Sequence, residues 1–121
     1  MPALKVRILF DGAMLGPGKA DLLDRIRDTG SIAAAGRQMS MSYKRAWMLV
    51  EEMNAAFSAP LVSSARGGPG GGGAQLTETG ATVLRLYREV ISRSEAASAD
   101  PLAALESMLR DRTKVELSGG K

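Results

Sequence analysis

Gly30-Ser31-Ile32-Ala33-Ala34-Ala35-Gly36-Arg37-Gln38-Met39-Ser40-Met41-Ser42-Tyr43-Lys44-Arg45-Ala46-Trp47-Met48-Leu49-Val50 decides the fold. Gly30 is placed as the stop of a preceding helix, because glycine enters the left-handed conformation that closes a helix end without steric cost. Ser31 is placed as the cap of a second helix over 32–38, since a serine hydroxyl can accept from an orphan amide of the first turn. The alanines give that helix no chemistry of their own. Together with Gly36 they let a neighbouring helix cross closely. A break at 39–41 follows, and Ser42 (or Ser40) caps a third helix that runs to about Phe57. Ala46, Leu49, Val50, Met53 and Phe57 fall on one stripe of it. Two helices joined by a turn of three or four residues, the second opened by serine, are a helix-turn-helix signature.

Outward from this centre, Leu22, Leu23 and Ile26 recur at helical spacing within 19–28, the first helix. Leu4, Val6, Ile8 and Phe10 alternate with Lys5, Arg7 and Leu9, as in a half-buried strand closed by Asp11-Gly12. Gly16-Pro17-Gly18 then reads as a loop. Downstream, Pro60 ends the third helix and 61–65 is a short strand candidate. Residues 66–74, RGGPGGGGA, hold six glycines in nine positions and can be neither helix nor central strand. Flanked by 61–63 and 74–76, they suggest a hairpin. Thr77 caps a fourth helix over 78–97, and Asp100-Pro101 looks like the cap and first-turn proline of a short fifth helix carrying Leu102, Leu105, Met108 and Leu109. The order predicts a mainly α fold with a small β-hairpin: a winged helix-turn-helix domain over 1–97 with a long helix at its end, then a short helix and frayed tail over 98–121.

Composition narrows the chemistry. The chain has 121 residues, a formal net charge of +3, and neither cysteine nor histidine. Disulfides, thiol nucleophiles, imidazole acid–base catalysis and Cys- or His-based metal sites are therefore excluded. The remaining Asp, Glu, Lys, Tyr and Ser form no constellation that suggests a reaction, so no enzyme, metal or cofactor is expected. No apolar run approaches the ~20 residues of a membrane span, and the first residues lack a signal-peptide core. A soluble cytoplasmic protein is expected.

The third helix carries the strongest functional pattern. Opposite its apolar stripe lie Lys44, Met48 and Glu51, flanked by Tyr43, Arg45 and Trp47. Two cations, an indole and a phenol beside a helix N-terminus suit phosphate docking and base reading in a major groove. The plainer reading is a solvated polar face with the tryptophan as core filler. The segment 68–73 matches a phosphate-binding glycine pattern only as any polyglycine does, with no strand-to-helix turn after it. A wing tip with Arg66 at its base, reaching DNA phosphates through glycine amides, competes with a loop that has no ligand. The fourth helix carries Val83, Leu84, Tyr87, Val90 and Ile91 as an apolar seam. Its length exceeds what a small core can cover, so dimerisation through Leu84, Tyr87 and Ile91 is expected.

Residues 30–37, the string Met41-Ser42-Tyr43-Lys44-Arg45-Ala46-Trp47, Met53-Asn54, Pro60-Leu61-Val62, the 67–73 run with Ala74, and Leu76-Thr77 with Gly80 resemble the N-terminal domain of ModE-family molybdate-responsive regulators. Looser similarity extends to LysR-type regulators. The resemblance implies a homodimer on an inverted-repeat operator in double-stranded DNA. It implies that Ser42, Tyr43, Lys44, Arg45 and Trp47 belong to the reading helix and that the wing around 66–73 touches flanking backbone. The expected DNA-binding set is Ser31, Ser42, Tyr43, Lys44, Arg45, Trp47, Met48, Arg66, Gly67, Gly68 and Gly70. Family members sense molybdate through a separate C-terminal domain. About 24 residues follow Ala97, so no molybdate sensing is expected of this chain alone. A regulator that binds DNA competes with a protein-interaction adaptor built on the same fold.

Overall fold

Asp11-Gly12 turns the chain back on itself instead of ending a lone strand. In the computed structural model, which describes residues 3–65 and 73–110, β1 (Ile8–Phe10) pairs antiparallel with β2 (Ala13–Leu15), Phe10 opposite Ala13, with Gly12 at φ 90° between them. The strand expected over 4–10 is therefore paired only at its end. Its alternation holds up to the turn: Leu4, Val6 and Ile8 are half-buried while Lys5, Arg7 and Leu9 are exposed, but Phe10, expected on the covered face, is 47 % exposed, its ring edge-on to Phe57 at 6.3 Å. The segment before the ladder is held by the Tyr87 hydroxyl, which donates to the Val6 carbonyl at 2.6 Å.

The helix-turn-helix follows as the capping residues dictate. α1 (Pro17–Thr29) has proline in its first turn, where the missing amide costs nothing. It stops at Gly30, φ 71°, whose amide donates to the Ile26 carbonyl at 2.8 Å. Ser31 Oγ accepts from the Ala34 amide and opens α2 (Ile32–Gln38). Ser40, at φ 59°, then reverses the chain. Its amide donates to the Arg37 carbonyl and the Met41 amide to the Gly36 carbonyl, the paired bonds of a Schellman closure. Ser42, not Ser40, caps α3 (Tyr43–Ala56), accepting from the Arg45 amide at 3.1 Å. A Cβ on Gly36 would stand 3.0 Å from the Ala46 Cβ, so α2 and α3 cross where both side chains are minimal. Leu22, Leu23, Ile26, Ala35, Ala46, Val50 and Met53 fill the space between the three helices.

β3 (Val62–Ala65) and β4 (Gly73–Leu76) form the antiparallel wing hairpin, Val62 opposite Leu76 and Ala65 opposite Gly73. The Ala74 amide donates to the Gly30 carbonyl, fastening the wing to the end of α1. Arg66, Gly67, Gly68 and Gly70, expected at the wing tip, lie outside the described residues. Thr77 caps α4 (Glu78–Ala97), its Oγ1 accepting from the Gly80 amide at 2.9 Å. A single residue, Ser98, separates α4 from α5 (Ala99–Ser107). Asp100 is thus inside α5, not its cap, and α5 buries no residue.

Two of the three residues expected at a subunit seam are occupied elsewhere. Leu84 is 5 % and Tyr87 2 % exposed, both within the chain's own core, and Ile91 packs partly against that core. An apolar stripe on α4 had to cover something, and the neighbour it covers is α1. Arg88 reinforces that contact by pairing with Asp24 and Asp21 of α1. Burial alone would lower the guanidinium's pKa, but the hydrogen bonds and attraction of the two carboxylates hold it above its ordinary value.

Candidate nucleic-acid interface

Three constraints aim the outer face of α3. The Ser42 cap fixes its first turn, the Ala46, Val50 and Met53 stripe fixes its rotation, and the Gly36 crossing fixes its distance from α2. With one side anchored, the opposite side must face out. Tyr43 (57 % exposed), Trp47 (45 %) and Met48 (44 %) do so, and Lys44 and Arg45 are exposed beside them. The tryptophan is therefore not core filler. Tyr43 and Trp47 are four residues apart and share one edge of the helix; Lys44 and Met48 share the next.

The charges on this face are uncommitted. Neither the Lys44 ammonium nor the Arg45 guanidinium has a carboxylate partner among the described residues. The acids of α1 are already engaged, Asp24 and Asp28 by Arg27, Asp21 and Asp24 by Arg88. Of the two glutamates further along α3, Glu52 pairs with Lys19 at 3.2 Å, leaving Glu51 exposed. Two cations without a carboxylate partner among the described residues thus stand side by side in the first turn of α3. The amides of Tyr43 and Lys44 lie there too, without intrahelical acceptors. Cations, first-turn amides and flat apolar side chains on one convex helix form a surface able to hold phosphates and to contact base edges.

The other expected residues fare differently. Ser42 lies at the start of this face with its hydroxyl engaged as a cap, and Ser31 is half-buried with its hydroxyl engaged at α2. Arg37 of α2 is exposed and has no ion-pair partner among the described residues, a cation the sequence pattern had not singled out.

Sequence reasoning also missed a junction at the far end of α3. Asn54, in the last turn of α3, uses Oδ1 to accept from the amides of Leu61 (2.8 Å) and Val62 (3.1 Å), and Nδ2 to donate to the Val62 carbonyl (3.1 Å). From the other side, Thr77 donates through Oγ1 to the Pro60 carbonyl at 2.6 Å and through its amide to the Leu61 carbonyl at 2.9 Å. Gly80 comes so close that a Cβ there would lie 2.1 Å from the Leu61 oxygen. The segment entering the wing is thus gripped between the end of α3 and the start of α4.

The sequence matches the pattern of the bacterial regulatory helix-turn-helix proteins of the lysR family over residues 19–81, just over half of the chain. It is 42 % identical over 98 residues to the molybdenum-pterin-binding protein MopB of Rhodobacter capsulatus, covering 81 % of this chain and 35 % of that protein. It is also 42 % identical over 71 residues to the DNA-binding transcriptional dual regulator ModE of Escherichia coli K12 and to the transcriptional regulator ModE of Yersinia pestis. Each of those matches covers 59 % of this chain and 27 % of the relative. The chain spans about a third or less of the length of these relatives. The matched segment 19–81 runs from within α1 through the helix-turn-helix and the described strands of the wing into the first turn of α4.

Proposed function

The chain belongs to the lysR family of bacterial regulatory helix-turn-helix proteins, and from that premise we propose that it is a transcriptional regulator that binds double-stranded DNA sequence-specifically through α3. One observation carries the reading: Tyr43, Lys44, Arg45, Trp47 and Met48 all stand exposed on one rigid helix, and its two cations have no carboxylate partner among the described residues. In a folded protein with a net charge of only +3, leaving those two cations unpaired at a helix start suits a polyanion. Arg45 is placed to bond guanine O6 and N7 together, Lys44 to read guanine or hold phosphate, and Trp47 and Met48 to pack on sugar or a thymine methyl. Ser31 and Ser42 border this surface. The wing, with Arg66, Gly67, Gly68 and Gly70, is assigned to the flanking backbone.

The proposed assembly is a homodimer on an inverted repeat, acting in the cytoplasm. Since Leu84 and Tyr87 are committed to the core, the contact falls to the outward apolar residues Leu86 and Val90 of α4, with Leu105, Met108 and Leu109 in and just after α5. All five are exposed. What the names of the relatives say of molybdenum stays with those proteins.

The test is binding of the full chain to genomic fragments selected from a random pool, measured against random duplex at several salt concentrations. Lys44→Ala/Arg45→Ala, verified as folded, is expected to lose operator affinity far more than random-duplex affinity. Unchanged operator affinity in that variant would refute the assignment of α3. Absence of any salt-dependent duplex binding by the wild type would favour the adaptor reading instead.

A further inference from the structure

We propose that Asn54 is the positioning residue that locks the wing to the reading helix, so that both meet DNA as one rigid body; this rests on the DNA-binding reading above. The geometry is specific. A single carboxamide satisfies two successive amides and one carbonyl at the point where the chain enters β3. Among the described residues, no other hydrogen bond joins α3 to the wing strands. Val62, held at both its amide and its carbonyl, is the first residue of β3 and pairs with Leu76, so Asn54 ties the hairpin to α3 at its entry while the Ala74–Gly30 bond ties its second strand to the end of α1. At the other end of the same helix, ten residues and about 15 Å away, stands Lys44. A helix is stiff over that length, so the wing's angle is referred through Asn54 to the face that reads bases. The carboxamide is suited to this task because it offers an acceptor and a donor from one short stem. Aspartate would keep both acceptances but set a carboxylate against the Val62 carbonyl. Alanine would remove all three bonds.

A residue that only finishes a loop would lower stability and all DNA contacts together. A positioning residue should separate the wing's contacts from those of the helix. The experiment is hydroxyl-radical footprinting of the full-length chain on an operator fragment selected with the wild type, alongside thermal melts and the salt dependence of affinity. Under conditions where the melt shows it folded, Asn54→Ala at saturating concentration is expected to keep the central protection and lose the flanking protection. Its salt slope should be shallower by about one, the loss of a phosphate contact. Asn54→Asp, which keeps the two amide bonds, should lose part of the flanking protection; it carries the test by itself if Asn54→Ala does not fold. Flanks protected as in the wild type by the folded variants would overturn the proposal, as would central and flanking protection falling in parallel. If the wild type protects no DNA, the DNA-binding reading fails and this assignment goes with it. If the wild type protects and the variants match it, only the role of Asn54 fails.

Discussion

Gly80→Ala should destabilise this protein, although the same exchange in an open helix would do the opposite. Alanine is preferred over glycine in a helix interior by roughly 1 kcal/mol. At position 80 the new Cβ would lie 2.1 Å from the Leu61 carbonyl oxygen, 2.9 Å from its carbon and 3.1 Å from its Cα. All three are backbone atoms, so no rotamer change relieves the clash. The segment must retreat by about 1 Å to reach ordinary contact. That retreat pulls on the Thr77–Leu61 bond (2.9 Å) and the Asn54–Leu61 bond (2.8 Å) at once. Overpacking costs roughly 1–3 kcal/mol, and each weakened hydrogen bond roughly 0.5–1.5 kcal/mol. Set against the helix preference, the net loss is about 1–5 kcal/mol, and its midpoint of about 3 kcal/mol corresponds to a fall in Tm of about 10 °C for a domain of this size. Gly18→Ala is the matched control: Gly18 lies exposed in the first turn of α1, and a Cβ there meets nothing within 4 Å. It should gain up to about 1 kcal/mol. Thermal and urea denaturation followed by circular dichroism measure both. Opposite signs are expected, and a Gly80→Ala protein melting at or above the wild-type temperature would refute the close approach of α4 to the wing entry.

Further outcomes follow from single contacts. Trp47→Ala should cost about 2 kcal/mol, because the residue is 45 % exposed and only about half of the roughly 3–5 kcal/mol lost on truncating a fully buried one is at stake; a loss at the top of that core range in a urea titration would contradict its outward placement. Tyr87→Phe deletes the donor to the Val6 carbonyl and should cost about 1 kcal/mol, read from the shift in the urea midpoint. Burial, opposed by Arg88, also raises the Tyr87 phenol above its ordinary value. The folded state therefore disfavours the phenolate: the contribution is intact below about pH 10 and is lost as pH rises through the raised folded value. Wild-type stability should fall more steeply than that of Tyr87→Phe above pH 10, and parallel curves would argue against it. Ser40→Gly should stabilise by about 0.5–1 kcal/mol, since Ser40 holds φ 59° where glycine is unstrained; a lower melting temperature would show that the serine side chain contributes at that turn.

The parts of the fold legible in the sequence are those whose bonds close within a few residues. Ser31 to Ala34, Ser42 to Arg45 and Thr77 to Gly80 each span three positions, and the glycine stop at Gly30 reaches back only to Ile26. Their donors and acceptors are adjacent in the string. β2 was missed for a different reason: Asp11-Gly12 is a strong hairpin signal, but three residues, Ala13–Leu15, give too short an alternation to be seen beyond it. The seam expected at Leu84 and Tyr87 shows the limit of periodicity. A stripe at helical spacing establishes that one face of α4 is covered, not whether the cover is α1 or a second molecule. At Trp47 periodicity succeeds: the stripe of Ala46, Val50 and Met53 sets the indole on the flank of the outer face against the pull of its hydrophobicity toward the interior, and it stands 45 % exposed there.

Asn54 and Gly80 carry no local signature because the atoms they contact are main-chain atoms of the same segment reached from opposite sides. An asparagine near a helix end and a glycine three residues after a threonine each have an ordinary local explanation, and Gly80 does serve one, donating to Thr77. Their joint meaning appears only at Leu61, whose amide is held by α3 and whose carbonyl is held by α4. A residue gripped in this way cannot rotate its peptide planes without breaking a bond on one side or the other. Leu61 is itself fully buried, so water cannot readily replace the lost partner. Motion of α4 and motion of α3 are therefore coupled at one residue, and a dimer contact on the outward face of α4 would bear on the orientation of the wing through Thr77 and Gly80, without touching DNA.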